Sequence, residues 1–395
     1  MNKKIISLML TAVLCIGIFA GCQSSELMAY SDQPAKETAA PGETAATTKD
    51  YTPAYETYKP DKVMLTVNGT DVTWGELFYW MAYDVSSLES YFGSITDWDA
   101  PCAFDETITY KEYVTNNALE TVKHYCALES KAKEMNISLS DEDIAAIDAQ
   151  WKSNVDSYSQ GDEKAFIEYI SKSFLTKDLY YHINSVSKLY EKLFAETYGA
   201  KGEKLSEKEV LDKATEMGYA RVKHILLRTV DDSYAALDEA AIAEKKATAQ
   251  SVYDQLKDIS DPTAREAKFD ELAQQYSEDT GLAYQPDGYV YLPDANFDPQ
   301  FMAAANALQE NQLSEVVQSS MGYHVLLKLP LTTDSIVEYQ SETVQIYLPY
   351  LVAQSLFGTK TTEWAEESTV KLSKDYEKLD MAEIFAKATV VTAES

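Results

Sequence analysis

The chain has 395 residues, 45% hydrophobic and 25% charged, enough for two or three domains with ordinary cores. Sixty-four acidic residues against 34 basic ones give a net charge of −30, which argues against a nucleic-acid partner because a phosphate backbone repels such a surface. Four cysteines with no metal-pair spacing exclude a disulfide framework and a zinc module.

Met1-Asn2-Lys3-Lys4 is a short basic start, and Ile5 to Gly21 is a 17-residue run that is almost wholly apolar. A spanning helix needs about 18 residues or more, so the layout is that of a secretory signal peptide over residues 1–21. The run ends in Phe19-Ala20-Gly21-Cys22, which resembles a bacterial lipoprotein signal. That resemblance implies acylation of Cys22 and cleavage before it. The mature chain would then sit on the extracytoplasmic face of the cell membrane, held by its lipid. Cleavage leaves 32 basic residues against 64 acidic, a net charge of −32. Cys102 and Cys126 remain, either as a disulfide or as two buried thiols.

Residues 22–60 are rich in Ser, Thr, Ala, Pro and Glu and are expected to form a disordered tether. Order is expected from Val63 to Val67, a strand stopped by the tight-turn pair Asn68-Gly69. Thr73 then caps a helix, with Glu76 at capping-box distance. Helical periodicity continues to about residue 217. It includes Tyr110 to Met135, a helix opened by Ser140-Asp141-Glu142-Asp143, Lys164 to Phe174, Lys177 to Tyr198, and one opened by Ser206.

The texture changes at Tyr219. Val222 to Leu227 reads as a strand, Ala235 to Leu256 and Thr263 to Tyr276 as helices, Gly288 to Tyr291 as a strand, Pro299 to Leu308 as a helix, and Tyr323 to Leu327 as a last strand. Strands and helices at this density make a compact α/β unit. After Pro330 helical texture returns, over Tyr339 to Phe357 and Glu363 to Ala388. The expected fold class is α+β. A helical domain made of residues 61–218 and 331–395 carries an inserted α/β domain at 219–330.

Two of the four histidines, His224 and His324, lie in the first and last strands of that unit. Period-two alternation lets both rings face one side of the sheet, where a shared hydrogen bond would fix their tautomers. Each alone reads equally well as a satisfied core histidine. Between them, Glu278 and Asp279 follow a helix end, either as solvated acids or with one carboxylate turned into a cleft. Phe297 and Phe301, around Pro299, could line an apolar pocket or simply pack.

Three blocks in order, Val222-Lys223-His224-Ile225-Leu226, Phe269 to Asp279, and Gly322-Tyr323-His324-Val325-Leu326, resemble the parvulin (PpiC-type) peptidyl-prolyl cis–trans isomerases. With the Cys22 signal and the flanking helical regions, the whole mature chain is similar to the PrsA-type foldase lipoproteins and to SurA-like chaperones. The resemblance implies that His224, Asp279 and His324 are catalytic and that Phe297 and Phe301 bind the substrate's proline. It implies no cofactor and no metal. The partners would be unfolded or newly secreted proteins containing Xaa-Pro, with a homodimer left open. The chain departs from the family at Gln285-Pro286-Asp287-Gly288-Tyr289, where a Gly-Gly-Asp-Leu-Gly segment is usual, and at a lengthened loop, Leu292 to Asn296.

Other readings stay open at this stage. A parvulin-fold chaperone without catalysis would keep the same fold. A solute-binding lipoprotein would need two large α/β lobes, and a nucleotide enzyme a Gly-rich loop before a helix. A metalloenzyme would need ligands beside His124 and His182. A thiol enzyme on Cys126 would need His124 at i−2 to face the same way on a helix.

Overall fold

The computed structural model describes residues 47–341 and 344–392. The signal peptide, Cys22 and residues 22–46 of the expected tether lie outside the described residues. In chain order the elements begin with β1 (Thr47–Asp50) and α1 (Thr52–Tyr55). The hairpin β2 (Val63–Val67) and β3 (Thr70–Thr73) precedes α2 (Trp74–Phe92). A second small hairpin, β4 (Pro101–Cys102) and β5 (Asp105–Thr109), leads into α3 (Tyr110–Glu134). Then follow α4 (Asp141–Ser159), α5 (Glu163–Ser171), α6 (Lys177–Tyr198) and α7 (Glu207–Glu216).

The strand-containing part is β6 (Ala220–Arg228), α8 (Glu239–Leu256), α9 (Pro262–Tyr276), β7 (Tyr289–Tyr291), α10 (Pro299–Ala307), β8 (Val317–Gln318) and β9 (Gly322–Leu329). After it come the hairpin β10 (Ile336–Ser341) and β11 (Val344–Tyr347), α11 (Leu348–Glu366), β12 (Val370–Leu372), α12 (Met381–Phe385) and β13 (Thr389–Thr392). Contacts divide the chain into two compact units. The first takes residues up to 194 and from 357 onward, and the second takes 195–356. The architecture is therefore α+β, with one unit inserted in the other.

In the first unit the two ends of the chain build one core. Asn68 (φ 53°) and Gly69 (φ 86°) both take left-handed conformations, as a two-residue hairpin turn with the native twist requires. Strand β12 adds to that hairpin by pairing Val370 with Val67. Thr73 accepts a hydrogen bond from the Glu76 amide and caps α2. The buried face of α2 carries Trp74, Leu77, Phe78, Met81, Val85 and Leu88. It packs with Val114, Ala118 and Val122 of α3 and with Met381, Ile384 and Phe385 from the C-terminal segment. The Phe78 and Phe385 rings stack at 5.6 Å.

Order starts before the sequence suggests. Residues 47–60 were expected to belong to the tether, yet β1 pairs with β13 and Tyr51 is buried with its hydroxyl on Glu89 at 2.5 Å. Tyr51, Tyr55 and Tyr58 supply the apolar surface that composition alone understated. The expected C-terminal helices also change. Ile336–Ser341 pairs antiparallel with Val344–Tyr347, one helix spans Leu348–Glu366, and Glu363–Ala388 breaks into a strand, a 3-10 turn and the short α12. Strand pairing of Val370–Leu372 with β2 overrides local helical preference there. Likewise α8 starts at Glu239, because Asp238 caps it through the Ala241 amide while Ala236 bridges to Val230.

The second unit is an antiparallel sheet in the order β7-β6-β9-β8. The two histidine strands, the first and last of the unit in chain order, are its central pair. Alternation assigns the faces. Ile225, Leu227, Tyr323, Val325, Leu327 and Leu329 face α8 and α9, where Ala249, Val252, Phe269 and Leu272 are buried. Val222, Leu326 and Tyr291 face α10, against Phe301, Met302 and Ala305. Helix α7 belongs here too, since Val210 and Ala214 pack with Val290, Leu348 and Val352.

Candidate functional site

The site grows from the register of β6 on β9. His224 stands opposite Leu326, and Leu226 stands opposite His324. A two-residue offset keeps both histidines on the α10 face as diagonal neighbours. Their Nδ1 atoms meet at 3.1 Å. Phe301, on the first turn of α10, lies against both rings, with centroids 5.2 Å from His224 and 5.3 Å from His324.

Asp279 is brought in by the segment after α9. Strand β7 pairs only with Ala220–Val222, so the far end of β6 offers its backbone to other partners. The Glu278 amide donates to the Leu226 carbonyl at 2.8 Å, and the Arg228 amide donates to Glu278 Oε2 at 2.7 Å. With this segment stitched alongside β6, Asp279 Oδ2 reaches His224 Nε2 at 3.1 Å. The Tyr289 hydroxyl donates to the same oxygen at 2.7 Å, and the Gly281 amide donates to Oδ1 at 3.0 Å. Gly281 is what lets that hydroxyl in: a Cβ there would stand 2.1 Å from it.

At the other end of the pair, His324 Nε2 and Ser319 Oγ are 2.7 Å apart. Asp298 fixes the frame around this end. Its Oδ1 accepts from the Gln300 and Phe301 amides and caps α10, while its Oδ2 accepts from the amide and hydroxyl of Ser320. The helix carrying Phe301 and the turn carrying Ser319 are thereby tied to one carboxylate.

The electrostatics follow from these partners. Burial works to raise Asp279, but the hydrogen bonds from His224 and Tyr289 and the nearby His224 charge outweigh it and hold the carboxyl down at about 2. Burial, helped by the neighbouring His224, lowers His324 to about 4. Burial and the Asp279 carboxylate push Tyr289 up, so it stays a donor. With His224 neutral, donors and acceptors then have one solution. Ser319 O–H donates to His324 Nε2, His324 Nδ1–H to His224 Nδ1, and His224 Nε2–H to Asp279. A proton added to His224 reverses the first two bonds, because a hydroxyl can accept as well as donate. The chain can therefore change polarity without moving a heavy atom.

The five residues expected from the sequence converge here, with one adjustment. Phe301 is 6% exposed and forms a floor, whereas Phe297 is 45% exposed and stands at the rim, its ring 5.9 Å from Phe301. Ser319, Tyr289 and Asp298 were not anticipated. Asp298 before Pro299 carries a helix-start signal, and Tyr289 lies in the segment that departs from the family pattern. Ser319 has no local signature.

The other candidates lie elsewhere in the fold. Cys102 and Cys126 are both free, buried thiols. Burial raises Cys126 to about 12 and lowers His124 to about 4, and His124 Nδ1 has no hydrogen-bond partner among the described residues. An activated thiol needs the opposite shift. His182 sits between Glu129, at 3.1 Å from Nε2, and Glu76, at 3.5 Å from Nδ1.

Residues 224–329 match the family model of the PPIC-type PPIASE (rotamase) domain. The foldase protein PrsA of Clostridium botulinum strain 657 is 25% identical over 251 residues, covering 61% of this chain and 68% of that protein. That of strain Langeland is 24% identical over 281 residues, covering 68% and 77%. Among solved structures, PrsA of Bacillus subtilis is 18% identical, with a TM-score of 0.23, covering 69% of this chain and 90% of that one.

Proposed function

We infer that the chain is a PrsA-type foldase with a parvulin-type rotamase domain, and that it isomerises Xaa-Pro bonds in unfolded clients through His224, His324 and Asp279. The observation that carries the assignment of residues is the continuous chain Ser319–His324–His224–Asp279 lying under the Phe301 ring.

Rotation about a prolyl amide meets a barrier of about 18–20 kcal/mol and takes about 10–100 s unaided. No covalent bond need break. The enzyme must favour the twisted amide, in which C–N resonance is lost and charge on the carbonyl oxygen changes. The Phe301 floor, with Phe297 at the rim, takes the proline ring and anchors one side of the bond while the other turns. The histidine chain offers a preorganised set of dipoles whose polarity follows the charge on His224, and Asp279 anchors its end. Groups aimed at the twisted form and not at either planar form lower the barrier.

The first unit serves as the chaperone part and holds client segments while the second unit acts on their prolines. No helix among the described residues is long and apolar enough to cross a membrane. The mature chain works outside the cytoplasm, attached through acylated Cys22, as the opening residues support. Its domains are read as a helical unit made from both chain ends and a rotamase unit inserted between them, and a homodimer fits the same reading.

The test is cis–trans exchange in a set of Xaa-Pro peptides, followed by NMR with the chain from residue 23 onward. Acceleration that His224→Ala and Asp279→Ala abolish, with circular dichroism unchanged, supports the assignment. A folded chain that accelerates no peptide would leave a client-holding protein without catalysis.

A further inference from the structure

The first unit contains a concavity that the prolyl site does not use. A cavity of about 730 Å³ is lined by residues 52 and 55–60 and by Ser171, Lys172 and Phe174. That size is typical of ligand-binding sites. Its inner wall is aromatic. Tyr55 and Phe174 have ring centroids 5.1 Å apart, and Phe174 is buried. Phe174 holds φ at 62°, a conformation that a bulky residue adopts only when its surroundings impose it. Packing against Tyr55 and, at 4.9 Å, against Phe78 holds this ring in the cavity wall despite that cost.

The rim is chemically unlike the rest of the protein. Lys59 and Lys172 are exposed and form no ion pair among the described residues. Lys387 adds a third ammonium, with Nζ 3.0 Å from the Thr57 hydroxyl. Glu56 is the one acid lining the cavity. On a chain of net charge −30, three ammonium groups against one lining carboxylate set this rim apart and offer positive charge over an aromatic floor.

We propose that this cavity docks an extended client segment in which a large apolar side chain is flanked by Asp or Glu. The apolar side chain enters against Tyr55 and Phe174, and the flanking carboxylates meet Lys59 and Lys172. The proposal rests on the foldase reading above and names the class of segment its chaperone part selects. The acidic surface elsewhere repels such segments, so charge complementarity confines their binding to this cavity.

The test uses the chain from residue 23 onward and two fluorescein-labelled, proline-free peptides. One carries Phe and Leu between aspartates, and the other has lysines in place of the aspartates. The acidic peptide is expected to bind about tenfold more tightly than the basic one at low salt, and this preference should shrink at high salt. Lys59→Glu with Lys172→Glu should reverse the preference, and Ser171→Trp, which fills the cavity, should weaken the acidic peptide without any charge change. Prolyl exchange on a short Ala-Pro peptide should stay unchanged in all variants. Equal binding of the two peptides would overturn the proposal. So would unchanged acidic-peptide binding in the variants, or self-association of the chain that competes with the peptide. Background exchange with charge-selective binding intact would defeat the isomerase reading and leave the cavity assignment standing.

Discussion

His324 in the inserted unit and His182 in the helical unit are the same residue type placed in opposite environments. His324 is 5% exposed, and its hydrogen-bonding partners are Ser319 and His224, with no carboxylate among them. Its burial lowers its affinity for a proton to about 4. His182 bridges Glu129 and Glu76, and the Glu129 hydrogen bond raises its proton affinity despite partial burial. The first environment keeps a histidine neutral and usable as a switchable donor and acceptor. The second favours its charged form, an electrostatic fastening between α2, α3 and α6. A histidine's neighbours, and not its identity, decide whether it belongs to chemistry or to architecture.

The sharpest way to break this contrast is to cut the neutral chain. His224→Ala leaves His324 Nδ1 and one bond to Asp279 without a partner. It should lower kcat/KM for a short Xaa-Pro peptide by about 10²- to 10³-fold, as loss of a preorganised donor does elsewhere. Exchange NMR measures the rate, and thermal melting shows whether the unit still folds. A loss below about threefold in a folded variant would remove the histidine pair from the mechanism.

How much of this was readable in advance depends on what each feature rests on. The hairpin at Asn68-Gly69, the caps at Thr73, Ser140 and Ser206, and the strand alternation around His224 and His324 are local, and the sequence states them plainly. The convergence of His224, Asp279 and His324 was expected from three spaced blocks, and the place of Phe301 from the family resemblance that those blocks carry. The pairing of β12 with β2 and of β13 with β1 was not legible, because a three- or four-residue strand owes its existence to a partner more than 300 residues away. Ser319 escaped for a related reason. A serine in a turn is ordinary, and only the β8–β9 geometry aims it at His324. The helix expected around Tyr339 failed because its apolar spacing fits a half-buried hairpin as well as a helix turn.

The next effect is on stability against pH, and its sign separates the two histidines. His324 is depressed in the folded state, so the unfolded chain binds its proton first. Stability from this group is full above about 6.5 and is lost as pH falls through about 4. The expected loss is on the order of 3 kcal/mol between those limits. Urea titrations from pH 7 to pH 4 would show it as a slope that His324→Gln flattens. The catalysed exchange rate should fall only near the lower limit, about 4, where the folded His324 takes up its proton. A slope unchanged in the variant would mean that His324 is not held neutral.

Tyr289→Phe is a smaller and more selective cut. The ring beside His224 stays, and only the hydroxyl on Asp279 is removed. A hydrogen bond to a charged group contributes about 1.5–3 kcal/mol, so kcat should fall by roughly tenfold with KM little changed. With one donor gone, Asp279 should also titrate at a higher pH than in the unaltered chain. A fall in KM-limited binding with kcat preserved would assign Tyr289 to substrate contact and not to holding Asp279.

The smallest effect sharpens the comparison from the other side. His182 gains its proton affinity from Glu129 and Glu76, so its contribution has the sign opposite to that of His324. It is present below the unfolded value near 6.5 and disappears as pH rises through the higher folded value. Glu76 modifies this. Burial raises its own value, and the His182 charge pulls it back, so removing the imidazolium leaves a largely buried acid without its counter-charge. His182→Gln keeps a hydrogen-bonding side chain and removes the charge. Because the ring is about one-quarter exposed, solvent screens the pair, and the loss should be about 1 kcal/mol at pH 6 and close to zero at pH 9. The stability difference between variant and parent should therefore widen toward acid, while for His324→Gln the difference should move toward the variant as pH falls. Parallel trends for the two substitutions would show that both histidines respond to net charge alone, and the distinction between a neutral chain and a charged fastening would fall.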